Sequence, residues 1–332
     1  MSTEHSPRMD HILRAMAETP WAILPSTLDA IRELVAVRAA GHRFTTEEIQ
    51  ERIGAARPTF AAQPAGAVAV IPIYGTIVPK GNMMTQISGG TSLQMIQSAL
   101  RDAGNDPGIS AIVLDVDSPG GSVDLVAETA AMIRDVAASK RVVAVANTTA
   151  ASAAYWLATQ ASELVVTPSG SVGSVGVLCA HSDYSAMEER VGVKTTLIHA
   201  GRYKVEANPY EPLSDDAREM LQTAVDDYYE MFTADVAAGR GATQAAVKGG
   251  YGQGRMVRAH QAVRDGMADR VATLDQTISE LLDGSSKSGR TRADAHVPQL
   301  EAAAQDADTD VLDDILATLA ETTTSLKEAP SE

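Results

Sequence analysis

Hydrophobic runs alternate with amphipathic stretches through the middle of the chain. Five runs rich in Val, Ile and Ala are apolar at consecutive positions, which is typical of strands buried on both faces. The predicted strands are residues 67–77, 109–119, 141–148, 163–169 and 194–200. Helical spacing of apolar residues between and after them predicts helices over about 92–103, 122–138, 152–161, 182–191 and 215–238. This alternation indicates an α/β domain built around a largely buried sheet.

The pattern changes at both ends of that domain. Residues 1–64 have a helical apolar pattern in their middle, with a cap-like Thr45-Thr46-Glu47-Glu48 and a connector near 58–64, and are interpreted as a helical N-terminal extension. Residues 65–283 form the predicted main domain, and the polar residues 284–298 a linker. Residues 299–332 carry nine acidic residues and one basic residue around an apolar stripe. Two interpretations of this tail stay open, a disordered segment and a helix that docks on a partner.

Charge and composition narrow the classes of partner. The 332 residues include 27 Lys and Arg against 43 Asp and Glu, a formal net charge of −16. Phosphate binding needs concentrated Lys and Arg, so nucleic acid and anionic membranes are not expected as partners. Aromatic residues make up only 4% of the chain. The core is therefore expected to be packed with small aliphatic side chains.

The number of cysteines and the length of the apolar segments bear on metal binding and on the cellular compartment of the protein. Cys179 is the only cysteine, so no internal disulfide and no cysteine zinc cluster can form. The first 20 residues lack the apolar segment of a secretory signal, and no run of about 18 apolar residues is long enough to span a membrane. We expect a cytoplasmic protein with no membrane partner.

Two turns that follow predicted strands are candidates for chemistry. Gly120 and Gly121 in the segment Asp117–Ser122 could direct backbone N–H groups at a developing negative charge, although a tight strand-to-helix turn explains them equally well. Ser152 begins a helix, where the positive end of the helix dipole favours an alkoxide. Taken alone, a serine at this position is more often a helix cap.

Two further segments carry polar groups beside glycines. The glycines of Gly170–Val177 recur at every third position, which is not the dinucleotide-binding spacing, so nucleotide binding is rejected there. Lys204 follows the predicted strand 194–200, at a position where a lysine is usually solvated.

Taken in this order, the segments resemble the signal peptide peptidase A family of Ser–Lys serine peptidases. The resemblance rests on the glycine pair, on the nucleophile segment 149–155, on Gly173-Ser174-Val175-Gly176-Val177, and on the lysine segment that leads to Pro209. A fifth match is the closing segment, with Gly254-Arg255, Ala262, Gly266 and Asp269. The family usually has glycines where this chain has Ala153 and Ala154, a departure that bears on substrate fit more than on the mechanism.

The resemblance implies a fold and a mechanism. The fold would be of the Clp protease/crotonase type, built from repeated ββα units. Ser152 would be the nucleophile and Lys204 its general base, oriented by Ser174, with the oxyanion held by N–H groups of Gly120 or Gly121. A lysine acts as a base only when neutral, and burial in an apolar pocket favours the neutral amine. No cofactor and no metal are implied.

The extension that begins near Pro20-Trp21-Ala22 is similar to the head-maturation peptidases of tailed phages. This branch implies protein substrates, namely capsid and scaffold proteins and the peptidase itself, and a place inside an assembling procapsid in the host cytoplasm. Homo-oligomers are common in the family and are expected here. Three alternatives remain at this stage: a soluble housekeeping peptidase, an acyl-CoA enzyme of the crotonase type, and a non-enzymatic scaffold protein.

Overall fold

The structure is a computed structural model that describes residues 20–39, 63–65, 67–81 and 90–284. Its first part contains β1 (Trp21–Ile23), α1 (Pro25–Ala39), β2 (Gln63–Ala65), β3 (Val68–Tyr74), β4 (Ile77–Val78), β5 (Thr91–Ser92), α2 (Leu93–Asn105), β6 (Ala111–Ser118), β7 (Gly120–Ser122) and α3 (Val126–Ser139). Its second part contains β8 (Arg141–Ala151), α4 (Ala153–Ala158), β9 (Glu163–Val166), β10 (Ser171–Gly173), α5 (Ser185–Arg190), α6 (Asp215–Arg240), α7 (Gln244–Gly250), a 3₁₀ turn (Gly252–Gly254), β11 (Met256–Arg258), α8 (Ala259–Arg264), β12 (Arg270–Val271) and α9 (Leu274–Leu282).

The main sheet has eight strands and is mostly parallel. Its path is β11-β10-β8-β6-β3-β2, with β9 beside the first half of β8 and β12 beside β9. Only β2 and β11 pair antiparallel with their neighbours in this sheet. Residues 142–146 of β8 are all fully buried, which explains why the strand is apolar at consecutive positions. The predicted α/β class with strand–helix repeats is confirmed.

Helices cover both faces of this sheet. One face packs against α2, α3 and α4 in a large core that includes Ile96, Ile133 and Trp156. The other face has a smaller core that includes Val113 and Val145, and Ile278 of α9 packs against this core. Small side chains, chiefly Ala and Val, dominate these cores, as the composition predicts.

A second, smaller sheet lies beside the carboxyl end of β6. Its order is β1-β7-β4-β5, with β1 antiparallel to β7 and the other pairs parallel. The glycine pair forms the start of β7, so this sheet is joined directly to the end of a central strand. The small sheet therefore brings β1 to the point where β6 ends.

Four of the five predicted strands are confirmed and one is wrong. Residues 194–200 are irregular in the structure. A strand needs a neighbour to satisfy its backbone groups, and within the described part of the chain this segment has no paired strand. Ile198 is 91% exposed, so its β-branched side chain has no core to enter. The sequence pattern of residues 194–200 indicates β propensity, but it does not show whether a neighbouring strand is present.

The predicted helices all occur, with shifted ends. Residues 182–191 give only the short α5, whereas α6 extends two residues beyond the predicted end at 238. Gly241 ends α6 in the left-handed conformation. Residues 45–48, the linker at 285–298 and the tail at 299–332 lie outside the described residues. The predicted boundary between 64 and 65 stays a prediction, although β2 crosses it.

Among the helices of the described ranges, none is both long enough and apolar enough to cross a bilayer.

Candidate active site

Ser152 lies at a sharp turn between β8 and α4. Its backbone angles are φ 54° and ψ −119°, a region that residues other than glycine rarely adopt. The preceding Ala151 is still paired with β10, opposite Gly173, and α4 starts at once with Ala153. Strained angles at a non-glycine residue persist only where the surrounding structure fixes them, and they concentrate at functional sites.

The Ser152 side chain does not cap the helix. Ser152 occupies the N-cap position of α4, but its hydroxyl makes no capping hydrogen bond. Its Oγ instead donates to the carbonyl oxygen of Gly176 at 3.3 Å, and its N–H donates to the carbonyl oxygen of Gly173 at 2.8 Å. The capping interpretation of this serine is therefore wrong, and its hydroxyl is directed at the glycine loop.

The glycine pair lies beside Ser152 and tolerates no side chain. A methyl group on Gly120, which has φ 96°, would come 3.0 Å from Ser152 Cβ and 2.2 Å from the Ala22 carbonyl oxygen. A methyl group on Gly121 would lie 1.8 Å from the Ile77 carbonyl oxygen. The Gly120 N–H donates to Ser118 Oγ at 3.2 Å, so its use as an oxyanion donor stays a prediction.

Ser174 lies on the glycine loop that contacts Ser152. It has φ 54°, it follows Gly173 at φ 128°, and its N–H donates to the carbonyl oxygen of Arg255 at 2.9 Å. Ser174 is buried and adjoins the residue whose carbonyl accepts from Ser152. The closing segment thus has a structural explanation, because Arg255 and β11 hold the glycine loop against Ser152.

Lys204 is placed apart from these groups. It lies on a turn over residues 201–207, its side chain is exposed, and its N–H donates to Gly201 O at 3.1 Å. No hydrogen bond joins Lys204 Nζ to Ser152 or to any other residue in the described part of the chain. The structure therefore brings Ser152, Ser174, Gly120 and Gly121 together and leaves Lys204 outside the group.

The helix that follows Ser152 is anchored by residues that the sequence motifs did not identify. Trp156 stacks on Phe232 of α6, with ring centroids 4.7 Å apart and an angle of 7° between the planes. Its Nε1 donates to Asp235 Oδ2 at 2.8 Å, and Arg134 pairs with the same carboxylate at 3.0 Å. The wide separation of these residues in the chain left no local signal for the contact.

A second anchor lies under α4. Arg240 forms a bidentate pair with Asp269, at 2.8 and 2.9 Å, and the Asp269 carboxylate also accepts from the Leu164 N–H at 2.7 Å. Burial alone would lower the pKa of Arg240, but the hydrogen bonds to Asp269 hold that pKa above its ordinary value. Tyr155 donates to the Met267 carbonyl oxygen at 2.9 Å, and its burial raises its pKa well above the usual range. These contacts hold α4, which begins directly after Ser152, against the closing segment.

A family model and proteins of similar sequence were compared with the chain. The model of Peptidase family S49 matches residues 134–287. The chain is 37% identical over 228 residues to capsid assembly protease C of Escherichia phage lambda, covering 67% of this chain and 50% of that protein. It is 31% identical over 281 residues to head-tail preconnector protein GP5 of Enterobacteria phage P21, covering 85% of this chain and 55% of that protein.

Among solved structures, the chain is similar to a mutant of a membrane-bound stomatin-specific protease in complex with a substrate peptide. The TM-score is 0.40 at 17% identity, over 64% of this chain and 77% of that one. The chain spans about half the length of the two phage relatives. The family resemblance read from the motifs, including its phage head-protein branch, is confirmed by the family model and the phage relatives.

Proposed function

We propose that this Peptidase family S49 chain is a serine endopeptidase in which Ser152 is the nucleophile and Lys204 the general base. The geometry of Ser152 carries the proposal. Its strained backbone, its uncapped hydroxyl and its contacts with Gly120 and the glycine loop fit a nucleophile better than a structural serine. The protease names of the relatives support the same chemistry.

The reaction proceeds through an acyl-enzyme. Neutral Lys204 takes the hydroxyl proton as Ser152 Oγ bonds to the scissile carbonyl carbon, and backbone N–H groups of Gly120 or Gly121 bind the oxyanion. The C–N bond then breaks, and Lys204 returns the proton to the leaving amine. Water, deprotonated by Lys204, hydrolyses the ester and restores Ser152. The proposal requires no cofactor.

This mechanism requires a rearrangement of the lysine turn. A general base must come within about 2.6–3.2 Å of the proton that it removes, directly or through one water. Lys204 is exposed and makes no hydrogen bond with Ser152, so the proposed mechanism requires the turn over residues 201–207 to close on the site. Ser174 is buried beside Ser152 and is suited to orient the amine after closure.

The natural substrates are proposed to be capsid and scaffold proteins and the chain itself, cut during phage head maturation inside a procapsid. The names of the two phage relatives support this role. The peptidase is proposed to act as a homo-oligomer. A soluble housekeeping peptidase would use the same residues, and cleavage of head proteins separates the two.

The decisive experiment compares wild type, Ser152→Ala, Lys204→Ala and Lys194→Ala. Lys194 is an exposed lysine near the same turn and serves as the matched control. Each protein is incubated with candidate capsid and scaffold proteins, and new termini are identified by intact-mass analysis. We expect Ser152→Ala and Lys204→Ala to lose at least about 10³-fold in rate, since removal of a nucleophile or base has effects of this size or larger. Full activity of Lys204→Ala would exclude it as the base.

A further inference from the structure

Strand β1 lies between two segments that both contact the nucleophile. On one edge it pairs antiparallel with β7, with Trp21 opposite Ser122 and Ile23 opposite Gly120. On the other edge, the Trp21 N–H donates to Leu178 O at 2.7 Å, and the Leu178 N–H donates to Trp21 O at 2.9 Å. The strand is therefore held on both edges by backbone hydrogen bonds.

The pairing with the glycine-pair segment extends over the whole of residues 20–24. The Val123 N–H donates to Pro20 O at 3.4 Å, and the Leu24 N–H donates to Pro119 O at 2.9 Å. Bonds made by the backbone recognise an extended peptide whatever its sequence, as in other proteins that bind a peptide by strand addition. The two edges thus form a groove of the kind that binds an extended peptide.

This groove passes directly by Ser152. A methyl group placed on Gly120 would lie 2.2 Å from the Ala22 carbonyl oxygen and 3.0 Å from Ser152 Cβ. Ala22 and Ser152 therefore both lie next to Gly120. On the opposite edge, Ser152 Oγ bonds to Gly176, two residues before Leu178. A peptide in the position of β1 would carry its backbone past the hydroxyl of the nucleophile.

With β1 in place the nucleophile is covered. Ser152 and Ala22 each have 0% exposed surface, so no carbonyl from solution can reach the hydroxyl. In the same structure, Lys204 is exposed and makes no hydrogen bond with Ser152. Both features belong to a closed form of the site.

We propose that the segment Pro20–Leu24 is an intramolecular occupant of the peptide groove, which must leave before a protein substrate can bind. This inference rests on the proposed peptidase function. The segment indicates the ligand class as well: an extended peptide with a small side chain at the position of Ala22, whose methyl group packs within the core. The competing interpretation makes β1 a permanent wall of the fold, which never leaves.

A reversible crosslink separates these interpretations. Because both backbone groups of Trp21 bond to Leu178, Trp21 and Ser122 form a non-hydrogen-bonded antiparallel pair, with Cα atoms about 4.5 Å apart. That spacing lies within the range of roughly 4.4–6.8 Å that a disulfide accepts. The variant is Trp21→Cys/Ser122→Cys, with Cys179→Ser to remove the only native cysteine. The same variant in reductant is its matched control.

Two readouts are taken on the oxidised and reduced forms. One is cleavage of a head-protein substrate, and the other is fluorescence anisotropy of a fluorescein-labelled Pro-Trp-Ala-Ile-Leu-Pro peptide. We expect oxidation to lower both cleavage and peptide binding at least tenfold, and reductant to restore both. Unchanged binding after complete crosslinking, verified by intact mass, would overturn the proposal.

A second variant opens the groove instead of locking it. Arg cannot be accommodated at the fully buried position of Ala22, so Ala22→Arg should expel the strand. In a Ser152→Ala background, which prevents turnover, we expect Ala22→Arg to bind the labelled peptide at least tenfold tighter, because the tethered competitor is removed. Equal affinity would contradict the proposal. If oxidation lowers peptide binding but neither form cleaves a substrate, the role of residues 20–24 as groove occupant is supported and the peptidase mechanism is rejected.

Discussion

Residues 149–158, which carry Ser152, and residues 194–207, which carry Lys204, are built in opposite ways. The first segment is almost wholly buried, and its backbone and side chains bond to β10, to α6 and to the closing segment. The second is irregular and largely exposed, with Ile198 and Tyr203 facing solvent. One half of the candidate site is thus held rigidly, and the other half is not formed.

The difference indicates where regulation acts. A nucleophile and an oxyanion site that are fixed before substrate binds need no further reorganisation during the reaction. In the proposed mechanism, by contrast, Lys204 becomes effective as a base only when the turn over residues 201–207 closes. Under the proposed function, an enzyme of this design would stay inactive until its lysine turn closes.

The largest expected contrast in stability is between one aromatic residue from each of these segments, Trp156 and Tyr203. Trp156→Ala removes a stacked ring and the hydrogen bond to Asp235, and should lower the free energy of unfolding by about 3–5 kcal/mol. Tyr203→Ala, at a ring that is 59% exposed, should change it by less than about 0.5 kcal/mol. Urea denaturation followed by circular dichroism measures both. Equal losses would mean that the lysine segment is packed in solution.

A second contrast lies between two glycines near Ser152. Gly121→Ala would force a methyl group against the backbone of Ile77, and should cost about 3 kcal/mol or prevent folding. Gly176→Ala meets nothing within 4 Å and has no positive φ, so its unfolding free energy should change by less than about 0.5 kcal/mol. Thermal denaturation of the two variants checks the difference. A tolerant Gly121 would mean that the small sheet is absent in solution.

Sequence patterns predicted the parts of this fold that depend on local periodicity. The runs of Val, Ile and Ala located the central strands, and the turn after β8 was found because a serine follows a buried strand and begins a helix. The same reasoning failed at residues 194–200, where β-branched residues favour a strand but no neighbouring strand exists in the described ranges. Propensity sets what a segment can form, and pairing decides what it does form.

The contacts that complete the site join residues far apart in the chain. The pairs Trp156–Asp235 and Arg240–Asp269 leave no periodic signal, because each depends on how two helices or a helix and a loop meet. The three residues of β1 are too few to show a strand pattern, and their partners lie about 100 and 150 positions away. Ser152, Ser174 and the glycine pair could be proposed from motifs, whereas the pairing of β1 beside Ser152 required the structure.

The smallest expected effect on stability comes from the backbone strain at Ser152. The backbone angles of Ser152 suit glycine, which has no Cβ to clash at positive φ. Both Ser152→Gly and Ser152→Ala remove the hydroxyl, but only the glycine also relieves the strain. Ser152→Gly should therefore be more stable than Ser152→Ala by about 1 kcal/mol, the lower end of the cost of such a conformation.

The matched control is Ser279, an exposed serine in the interior of helix α9. There glycine should be less stable than alanine by about 1 kcal/mol, because helical angles favour alanine. The two serines thus give opposite orders of stability for the same pair of substitutions, measured by urea denaturation. If Ser152 followed the order of Ser279, its turn would be relaxed in solution, and the rigid half of the site would be no more preorganised than the lysine segment.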